Sequence, residues 1–167
     1  LAAILEARTG GPVRRYGDVL YGALREPVTM IRHPDVRLLT PHDLPLVQAA
    51  SEPLQGGGFA GPKELLDRGF AAAAIRDEEI VALAHTSALT PKHGDIAVYC
   101  LDAYRGRGYA TAAASLVACR VQETGRRPVW STGEDNWASQ RVAEKLGFSR
   151  MARRVYLIPE RRPQASR

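Results

Sequence analysis

Residues 103–123 read AYRGRGYATAAASLVACRVQE. From Tyr109 to Thr124 the residues Ala110, Ala113, Val117 and Val121 recur at three- and four-residue spacing, which predicts a helix with an apolar stripe, and Gly125 stops it. Ahead of it stand Arg105, Gly106, Arg107 and Gly108, and ahead of those GDIAVYCL (94–101) reads as a strand apolar enough to be central. A strand, a short glycine turn and a helix start, in that order, make an anion site. The first N–H groups of a helix have no intrahelical partner, and the helix dipole adds partial positive charge there. Glycines let those amides point inward without a Cβ in the way, and two arginines add full charge. A diphosphate suits such a site. The P-loop pattern GxxxxGK[ST] is absent, and Thr111 stands at the third small position of a dinucleotide fingerprint. RGRG elements that bind RNA occur in disordered repeats, whereas this one leads into a helix. On this stretch alone, a plain glycine turn carrying two exposed arginines explains the residues equally well.

Working outward, RRPVWST predicts a strand around Val129 to Ser131. NWASQRVAEKLGF predicts a helix with Asn136 as its cap and Gly147 as its left-handed stop, and RMARRVYLI predicts a closing strand. Upstream, VRLLT is a short strand and TPHDLPLVQAAS opens a helix with Thr40 at the cap, Pro41 at the first helical position and Asp43 three after the cap. Pro45 keeps that helix short or irregular. LQGGGFAGP (54–62) is a flexible loop, KELLDRG one or two helical turns, and FAAAAI, RDEE and IVALAHTSALT a hairpin. In residues 1–35, LAAILEA starts a helix, TGGP breaks it, and VRRYGDVLYGAL alternates loosely like one or two strands. Alternating strands and helices after a run of hairpins predict a mixed α/β sheet.

The 167 residues, 45% apolar and 25% charged, are enough for one domain with a substantial core. No apolar run approaches the roughly 18 residues needed to cross a bilayer, so no membrane partner is expected. Cys100 and Cys119 form no CxxC pair, which points to a reducing, cytoplasmic setting. His33, His42, His85 and His93 stand at no ligand spacing, so no metal is expected. The net charge of +5 and a pI near 9.6 suit an anionic partner, either nucleic acid or a phosphorylated cofactor.

At this point the sequence resembles the GCN5-related N-acetyltransferases. Arg105-Gly106-Arg107-Gly108-Tyr109-Ala110 fits their acyl-CoA signature [QR]-x-x-G-x-[GA]. Asn136, Ser139 and Glu144-Lys145-Leu146-Gly147-Phe148 fit their second motif, an Asn-capped helix ending in a KLGF-like turn. The Pro128-Val129-Trp130 strand and the STGED segment look like a subgroup that includes self-resistance acetyltransferases against antibiotics. The resemblance covers roughly residues 36–158 and divides the chain into an N-terminal segment (1–35), an acyl-CoA-binding domain (36–158) and a basic tail (159–167). It implies a GNAT-like single α/β domain, a twisted mixed sheet of about six or seven strands flanked by helices. The fourth and fifth strands, here 95–101 and around 129–131, would splay to admit the pantetheine arm of acetyl-CoA.

By the same resemblance the amides of Arg105, Gly106, Arg107, Gly108, Tyr109 and Ala110, with Thr111 beside them, would hold the pyrophosphate. The backbone of Tyr99, Cys100 and Leu101 would pair with pantetheine, one N–H polarising the thioester carbonyl, and Asn136 and Ser139 would line the other side. Asn136 serves as a helix cap whether or not a ligand binds. Acetyl transfer to an amine needs a neutral nucleophile, and an amine of pKa ~10.4 is neutral about once in 2,500 molecules at pH 7. Asp95 matches the position where many relatives carry glutamate and is the first candidate base, with His85 on the hairpin strand second. Many relatives place a tyrosine general acid where Ala143 stands, which leaves Tyr99 or Tyr104 to act if any acid does. Cys100 reads as a small buried apolar residue rather than an acyl-enzyme nucleophile.

The implied function is acetyl-CoA-dependent transfer to a primary amine of a small molecule or peptide in one ternary complex, by a monomer or homodimer. A catalytically idle acyl-CoA-binding or regulatory module is the alternative, with a basic nucleic-acid binder behind it. Residues 51–62 would form one wall of the acceptor site.

Overall fold

The computed structural model describes residues 1–159. Past Pro159, the basic tail lies outside the described residues. Helices α1 (Ala2–Thr9), α2 (Leu44–Ala49), α3 (Pro62–Arg68), α4 (Tyr109–Glu123) and α5 (Trp137–Lys145) accompany one seven-stranded sheet. Its strands are β1 (Val13–Tyr21), β2 (Val36–Leu38), β3 (Ala71–Arg76), β4 (Glu79–Leu89), β5 (His93–Cys100), β6 (Arg127–Gly133) and β7 (Arg150–Pro159), in spatial order β2-β3-β4-β5-β6-β1-β7. Neighbours are antiparallel except β5 and β6, which run parallel because α4 crosses between them. The mixed α/β sheet expected from the alternation is therefore present.

The N-terminal segment adds one strand in an unexpected place. β1 lies between β6 and β7 and pairs antiparallel with both, from Asp18↔Gly133 to Tyr21↔Trp130 on one side and from Val13↔Pro159 to Tyr21↔Arg150 on the other. The two strands expected to splay are consequently the fifth and sixth along the chain. Thr40 and Asp43 cap a single 3-10 turn at Pro41–Asp43, the Asp43 carboxylate accepting from the Thr40 N–H at 2.8 Å. Arg37 grips the same carboxylate with both guanidinium nitrogens and holds its pKa far below the usual range.

Core packing explains the alanines. Ala71 to Ala74 of β3 are all buried, covered on one face by α4 and on the other by Val47, Leu54 and Leu65 from the α2–α3 side. The apolar surface of α4 is broader than one stripe, with Ala112, Ala113, Ala114, Ser115, Val117, Ala118 and Val121 buried. The cause is a strap: residues 22–35 run without regular secondary structure over α4 between β1 and the opposite edge strand β2. Gln122 donates to the Glu26 carbonyl at 2.7 Å and accepts from the Val28 N–H, and Ile31 N–H donates to Ser115 Oγ at 3.0 Å. A helix pressed between a sheet and a strap needs small side chains on two sides.

Candidate active site

β5 and β6 share only three register pairs, His93↔Arg127, Gly94↔Pro128 and Asp95↔Val129, after which the strands part. Beyond that point a cleft of about 370 Å³ opens between β5, the entry to α4 and one face of α5. The strand alternation fixes which amides look into it. Arg127 N–H donates to the Lys92 carbonyl, so even-numbered β5 residues face β6; Leu101 N–H donates to the Val81 carbonyl at 3.0 Å, so odd-numbered ones face β4. Val98 and Cys100 therefore turn their main-chain groups to the gap. This corrects the assignment of Tyr99 and Leu101 as main-chain partners of a ligand: Leu101 does not line the cleft, and Tyr99 lines it through its side chain alone.

At the far end, Gly106 and Gly108 have φ of 79° and 86°, left-handed conformations that favour glycine. A Cβ on Gly106 would meet nothing within 4 Å, so the turn is open above the backbone. Among the described residues, the N–H groups of Gly106 to Thr111 donate to no backbone carbonyl; the first helical bond is Ala112 N–H to Gly108 at 2.9 Å. These donors, the dipole of a 15-residue helix and the Arg105 guanidinium converge on the cleft. Arg105 is itself engaged, with Asp102 at 2.8 Å and with the Cys100 carbonyl through Nε at 3.4 Å. Arg107 turns away, lying over the Tyr104 ring and donating to the Ala103 carbonyl, and does not line the cleft.

Tyr109, Ala110 and Thr111 line the cleft with Asn136 and Ser139 across from them. Both polar residues carry structural duties as well: Asn136 Oδ1 accepts the Ser139 N–H, and Ser139 Oγ accepts from the Trp130 indole at 3.1 Å. Ala138, Arg141, Val142 and Lys145 complete the α5 wall at helical spacing that the sequence displays. Ala143 is fully buried in the core with Trp130 and Phe148 instead of facing the cleft.

The two acid–base candidates fare differently. His85 is 7% exposed, with Nδ1 3.0 Å from the Thr86 carbonyl and Nε2 3.4 Å from the Gly57 N–H. With both nitrogens engaged and burial lowering its proton affinity, His85 serves as a neutral peg for the glycine loop, not as a base. Asp95 stands at the point where β5 and β6 separate, and Ser87 Oγ donates to its Oδ2 at 2.5 Å. Burial pushes its pKa up, against the Ser87 bond and the charge of Arg154. Arg154 in turn pairs with Asp18 at 3.0 Å. Cys100 is half-buried and its thiol is pushed up by burial, so it is no ready nucleophile. Among the described residues no cluster of His, Cys, Asp and Glu could hold a metal, and no helix is long and apolar enough to cross a membrane.

A parallel strand pair that parts after three register pairs, and a glycine-lined helix entry rich in free amides, together frame one cleft. The match to the family described as GNAT acetyltransferase, over residues 43–154, states the class directly: the chain belongs to this family. Its fold and its enzyme class, acetyl transfer with acetyl-CoA as donor, are those of that family. Solved structures share the architecture. A GCN5-related N-acetyltransferase-like protein from Streptococcus suis superposes with TM-score 0.76 at 19% identity, over 95% of this chain and 67% of that one. A GCN5-related N-acetyltransferase from Sphaerobacter thermophilus gives 0.61 at 19% identity, over 96% and 57%. An aminoglycoside N-acetyltransferase in complex with CoA gives 0.56 at 20% identity, over 80% and 98%. The chain thus spans about two thirds of the Streptococcus protein and less of the Sphaerobacter one. Among curated proteins no sequence matches it.

Proposed function

We propose that this chain transfers the acetyl group of acetyl-CoA to a primary amine of a small molecule or peptide within one ternary complex. The observation that carries the reading is the set of unpaired amides from Gly106 to Thr111 opening into a cleft where β5 and β6 no longer bond. Those amides and Arg105 suit the pyrophosphate, and the Val98 and Cys100 main chain suits the amides of the pantetheine arm. Acetyl-CoA supplies the acetyl group as a thioester. Asp95 takes the proton that the amine must shed as its nitrogen attacks the carbonyl carbon and the C–S bond breaks, directly or through one water. A carboxyl whose proton affinity is raised by burial is a better base than an ordinary one. The thiol leaves as thiolate, which a pKa of ~8.5 permits without an obligatory acid; Tyr99 and Tyr104, both lining the cleft, are the hydroxyls at hand. The protonated state of Cys100 supports direct transfer over an acyl-enzyme. Two free cysteines fit a cytoplasmic setting.

The second reading, an idle acyl-CoA-binding module, is favoured by the burial of Ala143 where relatives place an acid. Thermal unfolding with millimolar acetyl-CoA, followed by thiol release with a panel of a polyamine, an aminoglycoside and a free peptide N-terminus, separates the two. Stabilisation with release supports transfer, and stabilisation with no release above background supports the idle module. Absence of stabilisation overturns both.

A further inference from the structure

We propose that Ser87 is a positioning residue for acetyl transfer, holding Asp95 by one carboxylate oxygen from within a β-bulge. The inference rests on the reading of Asp95 as the base. The β4–β5 ladder pairs Thr86 with Ile96 and then Ala88 with Asp95, so Ser87 is an extra residue and two residues of β4 oppose one of β5. Bulges of this kind re-aim a side chain beside a site. Here the re-aimed group is the Ser87 hydroxyl, 2.5 Å from Asp95 Oδ2 and 3.5 Å from the Asp95 carbonyl. Among the described residues no donor reaches the second oxygen, Oδ1, which leaves it for the amine or a water.

The glycine loop locks the bulge from above. A Cβ on Gly58 would stand 1.7 Å from the Ser87 carbonyl oxygen, so the loop backbone lies directly on Ser87, with Gly58 at φ 86°. The preceding Gly57 N–H is held by His85 of the same strand. The titratable group facing Asp95 from β4 is His85 and the charged one is Arg154 from β7, the latter drawn toward Asp18 of β1. Neither is hydrogen-bonded to Asp95, so orientation of its carboxylate falls to Ser87.

The test is the titration of Asp95 followed by carboxyl-carbon NMR of aspartate-labelled protein between pH 3 and 8, the resonance assigned by its loss in Asp95→Asn. Ser87→Ala removes a donor to the ionised form, so the midpoint moves up by about one unit, and thiol release on the amine panel loses its acidic limb at correspondingly higher pH. Ser87→Thr keeps the hydroxyl and restores the midpoint. Ser87→Cys, nearly isosteric and a weaker donor, gives a smaller upward shift should the alanine variant fold poorly. An unmoved midpoint in both the alanine and cysteine variants overturns the proposal. Full thiol release by Asp95→Asn overturns the base reading beneath it; the titration shift then persists, which tells that failure from the first.

Discussion

Burial raises the proton affinity of the Asp95 carboxyl, and the Ser87 bond and Arg154 recover only part of the cost of its charge. The consequence for stability has a definite sign. Because the folded pKa lies above the unfolded one, near 3.9, the native state binds the proton more tightly between the two values. This contribution favours folding at low pH and is lost as pH rises through the folded pKa. Above it, the native state bears the desolvation of a buried charge. Asp95→Asn is therefore expected to raise Tm at pH 8, with the gain fading near pH 4. The same variant should lose about 10²- to 10⁴-fold in transfer rate if Asp95 is the base. Melting curves at the two pH values check the first claim, and a variant less stable than wild type at pH 8 would refute it.

Among elements, the glycine loop shows how three identical residues take three different constraints. Gly56 has φ 80° and would push a Cβ to 2.4 Å from Leu65 Cδ2; Gly57 has open space and an ordinary φ; Gly58 lies on the Ser87 carbonyl. Gly58→Ala must displace either the loop or the bulge, and the expected cost is 2 kcal/mol or more, about the range of backbone strain plus a clash. Gly57→Ala keeps its N–H bond to His85 and is expected within about 0.5 kcal/mol of wild type. Urea denaturation of the two single variants decides it, and equal costs would refute this account of the loop. The sequence displays three glycines and nothing that ranks them, because the ranking comes from a strand more than 25 residues away. What was legible there was local: the glycine turn before α4, the Asn136 cap, the helical spacing of the α4 apolar residues and the hairpin of β3 and β4. Each depends on neighbours within a turn or two. The Ser87 bulge and the Arg154–Asp18 pair, 136 residues apart, depend on register between strands and carry no local signal.

Across the whole molecule, the segment that resembled nothing proves to tie the two ends of the sheet together. The alternation of VRRYGDVLYGAL identified a strand, but not that it would separate β6 from β7, since alternation marks a segment as a strand without naming its partners. From there the strap crosses α4 and ends at Asp35, whose carboxylate accepts from Tyr109, the first residue of α4, at 3.1 Å, and from Arg76 at 3.0 Å. The helix that presents the free amides is thus held at its start by the strap and along its length by Ser115, whose buried hydroxyl accepts the Ile31 N–H and donates to the Ala112 carbonyl at 2.8 Å. Removing that hydroxyl leaves the Ile31 N–H without its partner and loosens the strap at mid-span, far from the cradle itself. Ser115→Ala should therefore lower global stability by about 1–2 kcal/mol, whereas the amides of Gly106 to Thr111 keep their geometry. The free-energy gain from saturating acetyl-CoA, read as the difference between melting curves with and without it, should match that of the wild type. Unchanged stability would mean that the strap rests on α4 without holding it, and a diminished acetyl-CoA increment would mean that the strap shapes the diphosphate cradle as well as the fold.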